Sequence, residues 1–184
     1  TRERIVAAAE RLIADPDGPP ILLTNIAREA GIRLTNLYLY FPDFEELLLV
    51  VLKRVMETAE SAYLDMLRTR WPDEDLGQHC TTFLWAHYRF WRTHARLLHM
   101  RNRVADTDVR LLEYRQEATQ PLLDLLVFQM ASDGGDLAAP RMMATVVLTG
   151  FERVATVVTA PHFRQSVARS EGEDPDLVTS GLID

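Results

Sequence analysis

The apolar residues of this chain recur every three or four positions from its beginning to about residue 159. This spacing is that of one face of an α-helix. Where Pro, Gly and Asp interrupt it, helices are expected to end. The pattern predicts a first helix that ends before Asp15, a second that ends at Ala30, and further helices over about 35–41, 44–70, 76–94, 95–104, 106–131 and 140–159, with one more short helix at 162–169. No strand pattern competes, so we expect an all-α fold.

The second and third predicted helices have the lengths expected of a helix-turn-helix, and a short turn at 31–33 joins them. Gly31 is a natural left-handed terminator for the first of the two. Small residues at 27 and 30 allow close approach, and four apolar residues can form a core: Ile26, Ile32, Leu37 and Phe41. The residues left to face outward or to lie at a groove edge are Thr35, Asn36, Tyr38, Leu39 and Tyr40. Because the major groove of DNA admits one helix, this arrangement predicts a DNA-binding head.

The stretch over 26–47, IAREAGIRLTNLYLYFPDFEEL, resembles the DNA-binding signature of the TetR family of bacterial regulators. The shared pieces are IA..AG, LY.YF and E.L at fixed spacing. The resemblance implies a three-helix DNA-binding head at residues 1–45, joined by a long fourth helix to a larger helical body at residues 46–184. It also implies that the body binds a ligand and dimerises, and that the homodimer binds a double-stranded DNA operator.

The same resemblance implies which residues of the head lie at or near DNA: Thr24, Arg28, Thr35, Asn36, Tyr38 and Tyr40. Arg28 and Arg33 would supply positive charge. Asn36 can read an adenine edge or bind a phosphate, and Thr35 can contact a thymine methyl or a phosphate. The alternatives are that one of the two tyrosines packs partly on the fourth helix, and that Arg28 is simply solvated.

Three residues depart from the resemblance. Leu22 and Arg33 stand where family members commonly carry capping residues, and Phe44 stands where a phosphate-binding Lys is common. A lost cap costs about 1 kcal/mol unless another group, such as Thr24 or Thr35, replaces it. Leu34 and Leu39 add apolar surface. Two interpretations remain open: weaker, more shape-dependent DNA binding, or a head partly repurposed for protein contacts.

The fifth predicted helix is rich in aromatic residues and histidines, a mixture suited to a pocket for an apolar or amphipathic small molecule. The alternative is that these side chains only fill a helical core. If a pocket exists, we expect it to be lined by Phe83, His87, Tyr88, Trp91, Met100, Tyr114 and Phe151.

The seventh and eighth predicted helices carry apolar stripes that are typical of a dimerisation surface. The residues expected there are Leu122, Leu126, Met143, Val147, Gly150 and Val154. Glycine inside a helix costs about 1 kcal/mol relative to alanine. We therefore expect Gly150 to allow the close approach of a partner helix or a ligand.

Composition and charge bear on DNA binding, on disulfide formation and on the cellular location. The formal net charge of −7 argues mildly against DNA binding, but a small basic face can sit on an acidic body. A single cysteine, Cys80, excludes an intramolecular disulfide and fits a reducing cytoplasm. No signal peptide or membrane-spanning stretch is expected.

Catalysis and cofactors are not expected either. His87 and His94 are seven residues apart with no matching carboxylate, so a metal site is not predicted. No nucleophile constellation or glycine-rich phosphate loop is present. The sequence favours a ligand-responsive repressor that a small apolar or amphipathic molecule releases from a palindromic operator. The alternative is a dimeric ligand- or protein-binding module whose head has weak or no specific DNA binding, with Leu34 and Leu39 as its contact residues.

Overall fold

The structure, a computed structural model, describes residues 1–15, 18–131, 135–160 and 163. The regular structure within these residues is helical, which confirms the predicted class. The helices are α1 (Arg2–Ala14), α2 (Leu23–Glu29), α3 (Leu34–Leu37), α4 (Phe44–Glu57), α5 (Ala59–Ala62), α6 (Leu76–Thr93), α7 (Ala95–Ala105), α8 (Val109–Met130) and α9 (Ala138–Val158), with 3-10 turns at Leu64–Leu67 and Asp73–Asp75. Apart from Phe163, the helix predicted at 162–169 lies outside the described residues.

The chain divides into two compact units. Unit 1 comprises Thr1–Thr58 and Arg96–Gln116, and unit 2 comprises Ala59–Ala95 and Glu117–Asp184. Unit 1 therefore contains α1 to α4 together with nearly all of α7 and the start of α8. The domain boundary expected between residues 45 and 46 stays a prediction.

The core of unit 1 is built from two distant stretches of the chain. Side chains from α1 to α4 and from α7 and α8 are at most 1% exposed and form one hydrophobic cluster, which includes Ile5, Ile26, Leu37, Leu52, Leu97 and Leu111. Full burial of one such side chain contributes about 1.5–3 kcal/mol. The helix-turn-helix is thus stabilised by residues about sixty positions away from it, as well as by its own helices.

Arg96, in the first turn of α7, holds the segment that connects α1 to α2. Its guanidinium donates to the carbonyl oxygens of Leu12 at 2.8 Å, Gly18 at 3.2 Å and Pro19 at 2.7 Å, and also to that of Asp15. The last carbonyls of a helix have no partner within the helix, and an arginine fork can satisfy several acceptors at once. Arg96 therefore fixes the end of α1 to α7.

A second polar tie lies at the start of α4. The Asp43 carboxylate accepts the Glu46 backbone N–H at 2.7 Å and so caps the start of α4. Its other oxygen accepts from Arg110 at 3.0 Å, and Arg110 also binds Asp108 at 2.7 Å. The hydrogen bond from Arg110 is the main cause that lowers the pKa of the Asp108 carboxyl. One carboxylate thus caps α4 and joins it to the beginning of α8.

The acidic charge of the protein lies in unit 2. The residues of unit 1 include twelve Lys and Arg and twelve Asp and Glu, so the whole net charge of −7 belongs to unit 2. In unit 1, the Arg54 guanidinium donates to Glu3 at 2.6 and 2.5 Å, which lowers the pKa of that carboxyl, and Arg11 pairs with Glu29. The overall charge therefore does not oppose DNA binding by unit 1.

The predicted fourth helix, 44–70, is wrong in its extent, because α4 ends at Glu57. The Thr58 hydroxyl donates to the Val55 carbonyl at 2.7 Å, and only the short α5 follows. Tyr63 then leaves helical geometry, with φ −154° and ψ −25°, and its ring is buried among aromatic side chains. The single helix predicted over 44–70 is thus interrupted after Glu57 and again at Tyr63.

Unit 2 is held together by α6, α8 and α9. Gln129 of α8 donates to the carbonyls of Leu67 and Thr69, both at 2.8 Å, and accepts the Trp71 backbone N–H at 3.0 Å. The α8 helix continues through Pro121. The bonds from Gln129 thus give partners to backbone groups in the stretch at 67–71, outside the α-helices.

We expect the Arg96→Met substitution to destabilise the protein by about 1–3 kcal/mol, because several carbonyls at the end of α1 lose a charged donor. Denaturant unfolding measures this change. The matched control is Arg103→Met, which removes the same charge from an exposed position of α7 and should change stability by less than about 0.5 kcal/mol. Equal effects of the two substitutions would contradict the assigned role of Arg96.

Candidate nucleic-acid interface

The turn between α2 and α3 depends on Gly31, whose φ is +65°. Its N–H donates to the Arg28 carbonyl at 3.0 Å, and the Ile32 N–H donates to the Ala27 carbonyl at 3.0 Å. A side chain at this left-handed φ costs about 1–2 kcal/mol for most residues. Arg4 of α1 also donates to the Ala30 carbonyl at 2.5 Å. The angle between α2 and α3 is therefore fixed by backbone geometry and by a contact from α1.

Helices α2 and α3, which together are called the reader, begin without side-chain caps. Leu22 precedes α2 and Arg33 precedes α3, both with extended backbone, and neither helix start has a capping hydrogen bond. Thr24 and Thr35 do not replace the missing caps. Asn25 instead donates to the Pro20 carbonyl at 2.7 Å, and Arg28 donates to the Asn25 amide oxygen at 3.1 Å.

The α3 segment, which is α3 together with the turn over 38–41, has one buried side and one exposed side. Leu37 and Phe41 are fully buried, as is Ile26, while Ile32 is half-buried and packs on the same core. These positions confirm the predicted core. The predicted outward residues are all exposed: Thr35, Asn36, Tyr38, Leu39 and Tyr40. The helix itself is shorter than predicted, because 38–41 form turns closed by bonds such as Tyr40 N–H to the Leu37 carbonyl at 2.9 Å.

The two tyrosines are both accessible. Tyr38 is 48% exposed and Tyr40 is 39% exposed, so part of each ring is accessible and part is covered. That one of the two rings packs partly on the fourth helix stays a prediction. The predicted DNA-contact residues outside α3, namely Thr24, Arg28 and Arg33, are also exposed. Phe44 packs partly on the core, and Leu34 does the same. Of the two leucines expected to add apolar surface, only Leu39 is therefore exposed.

The predicted ligand-lining residues are divided between the two units. In unit 2, Phe83, His87, Tyr88 and Trp91 of α6 are buried, and Phe151 of α9 is half-buried. Met100 and Tyr114 belong to unit 1, where Met100 is part of the core and the Lys53 ammonium lies 5.7 Å from the centre of the Tyr114 ring.

His87 is the centre of an aromatic stack in unit 2. The rings of Tyr63 and Phe151 lie on its two sides, each with a centroid distance of 4.4 Å. Phe83 and Phe90 contact the same group edge-on or tilted. The sequence did not single out Tyr63 or Phe90 for this site. The apolar periodicity predicts a continuous fourth helix through Tyr63, and no Pro or Gly near Tyr63 indicates that this helix ends.

The residues predicted for dimerisation differ in exposure. Leu122 and Leu126 of α8 are buried within the chain itself. The four residues of α9, by contrast, are exposed: Met143, Val147, Gly150 and Val154. Met142 and Val146 add to the same exposed apolar surface, and a Cβ placed on Gly150 would meet no atom within 4 Å.

The described part of the chain has neither a cluster of metal-binding side chains nor a helix that could span a membrane. No three His, Cys, Asp or Glu side chains there lie in an arrangement that could hold a metal ion. In the same residues, no helix has the length and apolar character needed to cross a membrane.

Comparison with known proteins gives similarity over almost the whole chain. The helix-turn-helix transcriptional regulator EthR of Mycobacterium tuberculosis, and that of Mycobacterium bovis, are 25% identical over 180 residues, which are 98% of this chain and 80% of the relative. No description of a protein family matches the chain.

Two solved structures share the fold. A transcriptional regulator from Rhodococcus sp. Rha1 superposes with a TM-score of 0.70 at 15% identity and covers 100% of this chain and 92% of its own. A TetR-family transcriptional regulator from Marinobacter aquaeolei VT8 superposes with a TM-score of 0.64 at 18% identity and covers 90% of this chain and 83% of its own. The all-helical arrangement is thus that of known transcriptional regulators.

Replacing Gly31 by Ala should destabilise the protein by about 1–2 kcal/mol, because the Cβ is strained at positive φ. The Gly31→Asn substitution serves as the matched control, since asparagine tolerates this conformation better. Thermal unfolding of both variants measures the difference. If alanine is tolerated as well as asparagine, the turn does not depend on the left-handed backbone.

Proposed function

We propose that this chain, a TetR-like transcriptional regulator, binds a palindromic operator as a homodimer in the cytoplasm and represses transcription until a small apolar or amphipathic molecule releases it. The observation that carries the proposal is the exposed face of α3, whose polar and aromatic side chains lie opposite a fully buried core. The regulators similar to this chain give no indication of catalysis, and we propose none.

In this proposal α3 lies in the major groove. Asn36 hydrogen-bonds a base edge, and Thr35 contacts a neighbouring base or phosphate. The phenol groups of Tyr38 and Tyr40 donate to phosphates, and the remaining backbone contacts come from Thr24, Arg28 and Arg33. The balanced charge of unit 1 supports this assignment, because no excess of acidic residues opposes the approach to phosphate.

The second copy of the chain is proposed to cover the exposed side of α9. Met143, Val147, Gly150 and Val154 follow one another at intervals of four, three and four residues, which is the spacing of a helix–helix seam. Gly150 leaves room for a partner backbone. A two-fold pair would carry two copies of the helix-turn-helix, and a palindromic operator presents two matching half-sites.

The effector is proposed to bind among the aromatic side chains of α6. Aromatic rings with a histidine at their centre offer an apolar surface and a polar tip. An occupant that separates these rings would displace α6. A single residue, His94, separates α6 from α7. Because α7 carries Arg96, displacement of α7 would change the orientation of α1 and α2. Release then follows from a lower affinity of the occupied state for DNA.

The alternative proposal, a module that captures a protein through Leu34 and Leu39, receives less support. Leu34 packs against the core of unit 1 and offers little surface to a partner. A docking face for a protein needs a contiguous apolar patch. Leu39 alone, among tyrosines and polar residues, does not provide one.

Selection of DNA duplexes from a random pool by the full-length protein tests the proposal. We expect an enriched palindrome, and we expect Asn36→Ala to weaken binding to it about 5- to 150-fold, because one base-edge contact is lost. The Gln116→Ala substitution, which removes an exposed amide from α8, is the control and should leave affinity unchanged. Failure to enrich any sequence, or equal affinities of the two variants, would refute the reader assignment.

The Val147→Glu substitution should convert the dimer to a monomer, because it places a charge in an apolar helix–helix seam. Thr145→Glu places the same charge nearly opposite on α9, at another exposed position, and should remain dimeric. Sedimentation velocity gives the mass of each species. A dimeric Val147→Glu variant would show that the second copy does not cover this side of α9.

A further inference from the structure

Leu39 lies in the turn that directly follows α3, on the exposed side of the α3 segment. Its side chain is 80% exposed, the largest value for any large apolar side chain among the described residues. Its position is nevertheless fixed, because its N–H donates to the Asn36 carbonyl at 3.3 Å and the next residue bonds back to Leu37. This ordered and exposed side chain is therefore available for a contact with another molecule.

The register of the segment shows which way Leu39 faces. Leu37 and Phe41 are four residues apart and fully buried, whereas Thr35 and Leu39 are four apart and exposed. Side chains four residues apart share one side of a helix or helical turn. Leu39 therefore lies on the side of α3 opposite the core, together with Thr35. If α3 enters the major groove, this is the side that meets the base edges.

The chemistry of leucine limits what it can read there. It has no hydrogen-bond donor or acceptor, so it cannot recognise the polar edge of a base. Thymine is the base that presents a methyl group in the major groove, and an apolar side chain can bury that methyl. Tyr38 and Tyr40, next to Leu39 in the sequence, carry hydroxyls, and Asn36 carries an amide, all of which can bind DNA.

We propose that Leu39 is a specificity-determining residue that reads the 5-methyl group of a thymine in each half-site. This inference rests on the proposed function, since it requires that α3 bind DNA. It adds a base and a chemical group to that function.

The test uses the full-length dimer and the duplex enriched by selection, with each thymine in turn replaced by deoxyuridine, symmetrically in both half-sites. This change deletes one methyl group and leaves the hydrogen-bonding edge intact. Burial of one methyl group corresponds to about a fourfold change in affinity, so the loss of two should weaken wild-type binding about 15-fold at one position. Fluorescence anisotropy at constant salt gives the dissociation constants.

The variant that assigns this effect is Leu39→Ala. It should bind the thymine and deoxyuridine duplexes with equal affinity, whereas Asn36→Ala should bind both more weakly and keep the ratio between them. Because Leu39 is exposed, its substitution should leave the thermal midpoint unchanged, which verifies that the variant is folded. Thr35→Ser, which removes only the methyl of the neighbouring threonine, is a second control and should keep the ratio.

The outcomes separate the inference from the proposed function. If no sequence is enriched, the proposed function fails and the inference fails with it. If a sequence is enriched but no deoxyuridine substitution weakens binding, the reader assignment stands and only the role of Leu39 is overturned. If Leu39→Ala keeps the thymine preference, or if Thr35→Ser abolishes it, another residue reads the methyl and the inference is wrong.

Discussion

The hydrophobic core shared by α1, α4 and α7 is the constraint on which the DNA-binding head depends. Three short N-terminal helices bury too little surface to be rigid alone, and α3 has only four residues in regular helical geometry. Side chains of α7 and α8 complete their core, and Arg96 and Arg110 tie the two loops that flank the reader. A groove-reading face must be held within a fraction of an ångström, and here that support comes from a distant part of the chain.

The body places two further interactions on one helix. The side of α9 with Leu148 and Ala155 is buried, and Phe151 stacks on His87, while the neighbouring side with Val147 and Val154 is exposed. A ligand that separates the aromatic rings would therefore act on the same helix that we propose to contact the second copy. Ligand binding and the geometry of the dimer would then be coupled without an additional element.

Local signals in the sequence predicted much of this arrangement. Gly31 marked the turn, and the spacing of Leu37 and Phe41 marked the buried side of α3. The end of α4 could not be predicted, because the apolar periodicity continues past Thr58. The departure of Tyr63 from helical geometry accompanies a ring contact with the distant His87, which the local sequence does not show. For the same reason, nothing in the sequence around Arg96 indicated that it binds carbonyls about eighty residues away. The contacts proposed with DNA, with an effector and with a second copy involve another molecule, so packing within the chain does not determine them.

The most direct test of the account is amide hydrogen exchange of the full-length protein under native conditions. Residues that unfold together share one free energy of opening. If α7 supports the head, the buried amides of α1, α4 and α7 should show one common value, and Arg96→Met should lower all of them by the same amount. If the amides of α1 and α4 open independently of α7, or if only α7 responds to the substitution, the head is autonomous and the account is wrong.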